Sequence, residues 1–345
     1  MIMRYKKLKR TGFKVSAVAS GSHIQQMSQE QCNIAYNTAL DHGVNLIFTS
    51  AAYMVAEAKI TAAVGDRRKE FYIVSTTDYR DAEHASKQID ESLKIFKTDY
   101  IDIYNIGGIR KPEIIDQALA PGGALEALLE AKKEGKIGHI GVTGHRPEAL
   151  EKAIKTGHIE CALFVFNWAL QNPLQDMLPL CKEYNVDTFC MRPLEDGMLD
   201  NHAERNLRFL FSSPLDIVVS GMYTPEVIDY NVALASKSPT KTEWEELQLQ
   251  ARELGWTGCR KCGLCLSWRE MTGTTTTCPY AINSPMIMTL YYYRKKYGLS
   301  PNAEKRWREF IGVAKKCDDC GKCEAICPYN LPITKYIHNA IRETP

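Results

Sequence analysis

Two runs of closely spaced cysteines constrain this chain more than any other feature of its sequence. The first run reads C-R-K-C-G-L-C from Cys259 and leads, after twelve more residues, to Cys278 and a proline. The second run, C-D-D-C-G-K-C-E-A-I-C-P, extends from Cys317 to Pro328. A 4Fe–4S cluster needs four thiolates, and a C-x2-C-x2-C spacing lets one turn of backbone supply three of them. The sequence therefore predicts two 4Fe–4S clusters.

In the bacterial ferredoxin pattern the cysteine before the proline of each run ligates the other cluster. By that rule one predicted ligand set is Cys259, Cys262, Cys265 and Cys327, and the other is Cys317, Cys320, Cys323 and Cys278. The twelve-residue spacer before Cys278 is longer than the pattern has it. Zinc is the first alternative, but a zinc site closes with four ligands and has no use for two three-cysteine runs that each end in Cys-Pro. Disulfides are the second alternative, and nothing else in the chain is typical of a secreted protein.

Length and composition are those of an ordinary globular protein. The chain has 345 residues, 45% of them hydrophobic and 24% charged, which allows two or three domains and a large core. A formal charge of +2 and the lack of a basic tail argue against nucleic acid as a partner, and no apolar run is long enough to span a membrane. The basic N-terminal stretch is followed by an apolar part that Lys14 and Ser16 interrupt, so we do not expect a signal peptide.

Cysteine usage favours a reducing, cytoplasmic location. Eight of the twelve cysteines belong to the cluster motifs. The other four lie in apolar or amphipathic segments, where we expect small buried side chains; they are Cys32, Cys161, Cys181 and Cys190.

Short apolar runs alternate with amphipathic helical patterns as far as about residue 235. The runs expected to be strands are 15–20, 45–50, 71–76, 100–106, 137–142, 161–166, 187–192 and 216–221. Eight strand–helix repeats predict an α/β fold, a (β/α)8 TIM barrel, over residues 1–240. A doubly wound open sheet usually has fewer strands, and no G-x-G-x-x-G follows the first run.

A second domain is expected after a linker at 236–242. Residues 241–345 have helical patterns around the cysteine runs, which predicts a mainly α-helical, ferredoxin-like iron–sulfur domain with two 4Fe–4S clusters.

With the barrel and the cysteines both identified, the chain resembles an aldo/keto reductase of the group that carries a C-terminal ferredoxin-type domain. The resemblance depends on the order and spacing of six segments. They are R-T-G-F-K-V-S at 10–16, H-G-V-N-L-I-F-T-S-A-A-Y at 42–53, T-D-Y-I-D-I-Y at 98–104, G-K-I-G-H-I-G-V-T-G-H at 135–145, M-R-P-L-E-D-G-M-L at 191–199 and S-G-M-Y-T-P-E-V-I-D-Y-N at 220–231. Glu57, shortly after the second segment, is part of the same resemblance.

The resemblance implies a catalytic residue but not the family's complete catalytic set. Family members reduce carbonyls with NADPH, and a tyrosine donates the proton with help from a lysine, an aspartate and a histidine. The match makes Tyr53 the donor, whereas Phe48, Thr76 and Gly107 stand where the aspartate, lysine and histidine are expected. Without those groups we expect the acidity of Tyr53 to be close to that of a free phenol, whose pKa is ~10. Ordinary hydride-driven carbonyl reduction is therefore not expected.

The family's cofactor loop is also changed. Residues 222–224, after the last strand, contain no basic group for the 2′-phosphate of NADPH, although Asn231 keeps its family position.

Catalytic groups of such barrels follow the strands at the C-terminal face. The residues in those positions are His23, Tyr53, Arg80, Arg110, His145, Arg146, Asn167, Arg192 and Tyr223. Four arginines suggest an anionic ligand because guanidinium groups pair with carboxylate or phosphate, and Arg192 directly follows its strand. The alternative is that Arg80, Arg110 and Arg146 simply face water.

Proton carriers are expected at the same face. Histidine as a residue type titrates near neutrality, so His23 and His145, with Tyr53, are the candidates. The alternatives are hydrogen bonding to neighbouring loops for the histidines and simple packing for Tyr53.

Together these features predict an iron–sulfur oxidoreductase of an anaerobic or low-potential pathway. Its two clusters would pass single electrons between a soluble ferredoxin- or flavodoxin-like partner and a small, anionic substrate or second cofactor in the barrel mouth. One alternative is a barrel that feeds electrons from NAD(P)H into the clusters, directly or through a flavin. Another is a non-catalytic electron-transfer or scaffold subunit of a larger complex.

Overall fold

Eight parallel strands form a closed barrel, as the sequence predicts. The computed structural model describes residues 2–22, 24–53, 55–109, 112–144, 147–253, 259, 265–266 and 278–344. Around the barrel the strands follow the order β10-β3-β4-β5-β6-β7-β8-β9. Their bounds are β3 Val18–Gly21, β4 Leu46–Phe48, β5 Tyr72–Thr77, β6 Ile101–Ile109, β7 Ile137–Gly144, β8 Cys161–Val165, β9 Asp187–Met191 and β10 Ile217–Gly221. The barrel prediction is therefore confirmed.

The first predicted strand, 15–20, is divided between two sheets. Strand β2 (Lys14–Ser16) pairs antiparallel with β1 (Tyr5–Lys7), and only β3 enters the barrel. The chain changes sheets at residue 17, where the Ser16 hydroxyl donates to the Val18 carbonyl at 2.7 Å. The β1–β2 hairpin lies at the amino ends of the barrel strands, because the first residue of β9, Asp187, accepts hydrogen bonds from the backbone N–H groups of residues 9–11.

Helices cover the outside of the barrel. Four of the described ones begin at polar N-cap side chains that satisfy free backbone N–H groups: Ser28 before α1, Asp81 before α3, Asp176 before α7 and Thr224 before α9. The bounds are α1 Gln29–Asp41, α2 Ala56–Val64, α3 Ala82–Phe96, α4 Pro112–Leu119, α5 Ala124–Lys133, α6 Pro147–Lys155, α7 Met177–Glu183, α8 Ala203–Ser212 and α9 Pro225–Ser236. Short 3-10 helices occupy Ala51–Tyr53, Gly65–Glu70, Asn172–Leu174, Glu195–Gly197 and Asp200–His202.

Apolar side chains fill the barrel interior. Phe48 at the end of β4 is 5% exposed, and its ring meets that of Phe189 edge-on at 5.1 Å. Leu46, Val74, Ile103 and Ile217 belong to the same buried cluster. Burying a side chain of this size contributes about 1.5–3 kcal/mol. The four cysteines outside the cluster motifs are also buried, as predicted.

A charged cluster ties β8 to its neighbours at the amino ends of the strands. The buried Glu160 accepts hydrogen bonds from His139, at 2.8 Å, and from Lys132, and Arg10 approaches to 3.7 Å. Burial alone would raise the pKa of Glu160, but the hydrogen bonds from His139 and Lys132 outweigh it and lower the pKa to about 2. The cluster therefore keeps Glu160 ionised.

The chain divides into two compact units. The barrel unit contains 1–193 and 207–247, and the second unit contains 194–206 and 248–345. Helix α10 is Lys241–Glu253, and the remaining helices are α11 Ser284–Tyr297, α12 Pro301–Ala314, α13 Lys322–Ala325 and α14 Ile333–Arg342. Trp307, Ile311 and Ile337 are buried in the second unit. A domain boundary at 240/241 stays a prediction.

No helix among the described residues is long and apolar enough to cross a membrane.

Candidate functional site

Four cysteines converge on one pocket in the second unit. Cys278, Cys317, Cys320 and Cys323 all line it, together with Tyr280 and six other residues. Cys323 is buried, Cys278 and Cys317 are partly buried, and Cys320 is exposed. These four are one of the two ligand sets that the sequence predicts, and the structure brings all of its members together.

Left-handed backbone turns let the second cysteine run wrap around the pocket. Asp319 has φ +57° and Gly321 has φ +67°, and α13 begins directly after Gly321. The carboxylate of Asp318 accepts a hydrogen bond from the Cys320 N–H at 3.2 Å. Asp318 also accepts from the Tyr280 hydroxyl at 3.1 Å, which links the run to the turn that carries Cys278.

The donor set fits a cubane iron–sulfur cluster. Four sulfurs around one pocket are what a 4Fe–4S cluster requires, and Ile282 and Ile337 supply apolar lining beside them. Burial raises the pKa of the Cys317 thiol and raises that of Cys323 to about 11. Because iron binds the thiolate, loading this site must displace protons from the buried cysteines.

The other predicted ligand set is described in part. Cys259 and Cys265 are buried and Cys327 is partly buried. Cys327 is not among the residues that line the four-cysteine pocket. Cys262 lies outside the described residues, so this ligand set stays a prediction.

Tyr53 ends the short 3-10 helix that follows β4, at the carboxyl-terminal mouth of the barrel. Partial burial raises its pKa, the nearby Asp78 carboxylate raises it further, and Arg192 lowers it in part. The expectation of ordinary phenol acidity is wrong, because this environment makes Tyr53 a weaker acid. At neutral pH the phenol keeps its proton and can serve as a hydrogen-bond donor.

The space that a histidine at position 107 would need is already filled. Gly107 stands at that position near the end of β6, and an ideal Cβ there would lie 2.2 Å from the Thr76 methyl carbon. Asp78 and Thr143 would lie within 3.2 Å of the same Cβ. Thr76, at the position of the family lysine, accepts a hydrogen bond from Asn105 at 3.4 Å. The Thr76 methyl group thus occupies space that a side chain at position 107 would need, so packing links the absence of the family lysine to the absence of the family histidine.

Asp78 is a candidate site residue that the sequence analysis missed. It directly follows β5, is exposed, and influences the phenol of Tyr53. An Asp78 oxygen lies 3.0 Å, and an Arg80 nitrogen 2.6 Å, from the point that a Cβ on Gly108 would occupy. Gly108, at φ +60°, sits at an irregularity of β6 that leaves this room. A carboxylate directly after a barrel strand is the signal that could have identified Asp78.

Asn167 holds the backbone that presents Arg192. The Asn167 side chain is buried, and its amide nitrogen donates to the Arg192 carbonyl at 3.3 Å. Its oxygen accepts from the N–H groups of Ala169 and Leu170. Arg192 itself has φ +53°, a conformation that non-glycine residues seldom adopt and that costs about 1 kcal/mol. Asn167 therefore contributes to positioning Arg192 at the mouth.

Two more predicted residues lie where β10 ends. The buried Asn231 of α9 donates to the Ser220 hydroxyl at 3.3 Å and to the Gly221 carbonyl at 3.4 Å. The Tyr223 ring packs over Gly221, whose Cβ would meet it at 2.6 Å. Both contacts fix the end of this strand.

Four mouth residues proposed from the sequence lie outside the described residues: His23, Arg110, His145 and Arg146. Their roles stay predictions. Besides Asn167 and Tyr223, the described residues Tyr53, Asp78, Arg80 and Arg192 bring a phenol, a carboxylate and two guanidinium groups to the mouth.

Two different protein families match the two parts of the chain. The model for the aldo/keto reductase family matches residues 17–218, and that for a 4Fe-4S dicluster domain matches residues 243–332. The uncharacterized oxidoreductase YqkF of Bacillus subtilis is 24% identical over 211 residues, 57% of this chain and 67% of that protein. L-galactose dehydrogenase of Arabidopsis thaliana is 28% identical over 212 residues, 56% of this chain and 66% of that enzyme. The match thus spans about two thirds of the length of these relatives.

Solved structures share the barrel. The holo form of aldo-keto reductase AKR11C1 from Bacillus halodurans has a TM-score of 0.64 at 20% identity, covering 72% of this chain and 96% of that one. An aldo-keto reductase from Klebsiella pneumoniae in complex with NADPH has a TM-score of 0.61, also at 20% identity and with the same coverage. At this identity the likeness shows the fold alone. The family match covers more than half of the chain, so the protein belongs to the aldo/keto reductase family and is an oxidoreductase that also carries a 4Fe-4S dicluster domain.

Proposed function

We propose that this protein is an iron–sulfur oxidoreductase that moves single electrons between a soluble redox partner and a small anionic molecule at the barrel mouth. The observation that carries the proposal is the convergence of Cys278 with Cys317, Cys320 and Cys323 on one pocket. A domain built around such a pocket is suited to one-electron transfer.

The eight motif cysteines hold two clusters in this proposal. Cys278, Cys317, Cys320 and Cys323 bind one, and Cys259, Cys262, Cys265 and Cys327 bind the other. When bound, 4Fe–4S clusters supply electrons one at a time and require no nicotinamide. The protein's contribution is to hold the thiolates, to bury Cys323 and to leave Cys320 exposed.

The barrel mouth holds the anion. Arg192 and Arg80 supply guanidinium groups that can pair with a carboxylate or phosphate, with Arg110 and Arg146 as further candidates. Asn167 holds the backbone of Arg192, and Asn231 holds the end of β10.

Proton handling at the mouth falls to a small number of groups. Tyr53, which stays protonated, donates a hydrogen bond to the ligand, and Asp78 is the carboxylate placed to accept a proton. His23 and His145 are the other proposed carriers, since histidine titrates near neutrality.

Two features of the described mouth residues favour an activity other than carbonyl reduction driven by NADPH. Such reduction needs a proton donor whose acidity is enhanced, whereas the surroundings of Tyr53 weaken it as an acid. A histidine at position 107 would collide with Thr76. No hydride step is therefore part of the proposed function, although the Klebsiella pneumoniae neighbour binds NADPH.

Stopped-flow spectroscopy under anaerobic conditions tests the proposal. The purified protein is reduced with dithionite and mixed with small carboxylate or phosphate-bearing acceptors, and re-oxidation is followed by the return of cluster absorbance. We expect at least one acceptor to re-oxidise the wild-type protein, with saturation at a higher concentration for Arg192→Gln. Arg10→Gln, at the opposite end of the barrel strands, is the matched control and should behave as wild type.

Three results would count against the proposal. Clusters that stay reduced with every acceptor would show that the mouth does not bind an electron acceptor. Rapid turnover of simple aldehydes with NADPH would show that the protein catalyses the ordinary reaction of its family. A protein free of iron after anaerobic preparation would remove the cluster assignment itself.

A further inference from the structure

A histidine–aspartate pair lies beside the four-cysteine pocket. Nε2 of His338, on α14, is 2.5 Å from Oδ1 of Asp319, in the loop between Cys317 and Cys320. The same Asp319 oxygen is 3.8 Å from the sulfur of Cys317. The pair thus connects a helix that carries no cysteine to one sulfur of the predicted ligand set.

Packing does not explain why a histidine stands at position 338. The buried face of α14 consists of Ile333, Ile337 and Ala340, whereas the His338 side chain is 49% exposed. Asp319 is 60% exposed as well. An ion pair or hydrogen bond between two such exposed groups adds little to folding stability. Its other consequence is electrostatic, because it acts on a carboxylate in contact with Cys317.

Charge near the sulfurs sets the reduction potential of an iron–sulfur cluster. Reduction adds one electron, so a neighbouring carboxylate opposes it and lowers the potential. A hydrogen bond from His338 withdraws negative charge from that carboxylate and weakens the opposition. The protein therefore contains two opposed influences on the same sulfur, one from Asp319 and one from His338.

We propose that His338 is a positioning residue that raises the reduction potential of the cluster bound by Cys317, and that it acts through Asp319. The inference rests on the proposed ligand set, in which Cys317 binds iron together with Cys278, Cys320 and Cys323. It adds a residue that neither the sequence motif nor the pocket lining includes.

Redox titration monitored by electron paramagnetic resonance tests this role in the full-length protein without substrate. His338→Gln should lower one midpoint potential, because Asp319 then faces the sulfur without its partner. Asp319→Asn should raise the same potential. In the Asp319→Asn background the effect of His338→Gln should fall to less than half, because the carboxylate through which it acts is gone. The control is His84→Gln, which breaks a similar pair with Asp81, 2.7 Å apart, on the barrel unit.

Each outcome decides the matter. His338→Gln with full iron content and an unchanged potential overturns the proposal, and so does a shift that is equally large when Asp319 is asparagine. Should His338→Gln lose its iron, Asp319→Asn alone decides by the presence or absence of an upward shift. If both variants lose iron while His84→Gln keeps it, the pair retains the cluster rather than tuning it. Absence of iron from the wild-type protein would refute the ligand set instead.

Discussion

The substitution Gly107→Ala tests whether Thr76 and Asp78 have taken over the space of the family histidine. The new Cβ would lie 2.2 Å from the Thr76 methyl carbon, which is 1.2 Å short of the 3.4 Å at which ordinary contact begins. The Asp78 side chain, at 3.0 Å, can move, but the Thr143 methyl at 3.2 Å belongs to a neighbouring strand. Relieving the close contacts of the new Cβ therefore requires movement within the buried barrel wall.

Overpacking of this kind costs about 2 kcal/mol, which lowers the Tm of a unit of this size by roughly 4–8 °C. Thermal unfolding followed by circular dichroism under anaerobic conditions measures the loss. The control is Gly65→Ala, whose Cβ would meet nothing closer than 3.4 Å and whose backbone is right-handed helical, so its Tm should not fall.

Removing the opposing methyl completes the test. Thr76→Ser alone should cost about 0.8 kcal/mol for one buried methyl group. Combined with Gly107→Ala it should recover about 1 kcal/mol relative to the sum of the two single changes, because the closest contact is gone. Strict additivity of the two substitutions, or a Gly107→Ala variant as stable as the wild type, would refute the packing argument.

Three further predictions concern charge, iron and the mouth. Glu160→Gln should lower the free energy of unfolding by about 1–2 kcal/mol at pH 7, with allowance for solvent screening at the partly exposed Lys132. In urea titrations this difference from wild type should vanish as the pH falls from about 4.5 through about 2, because Glu160 itself then becomes protonated. Cys278→Ser should remove about half of the iron found by colorimetric assay, whereas the buried barrel variant Cys190→Ser should keep it all. Arg192→Lys should weaken the binding of a small anion about tenfold in calorimetry, since the forked guanidinium contact is lost, and equal affinity would exclude that contact.

The barrel was predictable because the buried parallel strands read as short apolar runs bounded by polar helices. The run at 15–20 shows the limit of that reasoning. Ser16 and Val18 belong to different sheets, yet both lie in one mostly apolar stretch, and a hydrogen bond between them lies where the chain changes sheets. Hydrophobicity identifies a buried segment but not the sheet to which it belongs.

The grouping of four cysteines around one pocket was predictable for a different reason, since ligand chemistry imposes its own spacing. The assignment of Cys278 with Cys317, Cys320 and Cys323 came from the motif alone, and these four line one pocket. Asp319 and His338 were not found, because they are nineteen residues apart and meet only through tertiary packing. Asp78 was overlooked since an acidic residue after a strand is also typical of an ordinary turn.

The pocket joins Cys278 to Cys317 across 38 intervening residues that include α11 and α12. A covalent or metal link across a loop of that length removes unfolded-state entropy worth about 4 kcal/mol. Assembly of the site must also wait for synthesis of the chain, because Cys278 leaves the ribosome well before Cys323 does. Iron can therefore complete this site only after the chain has been synthesised beyond Cys323, and a chain starved of iron should expose α11 and α12 to proteases.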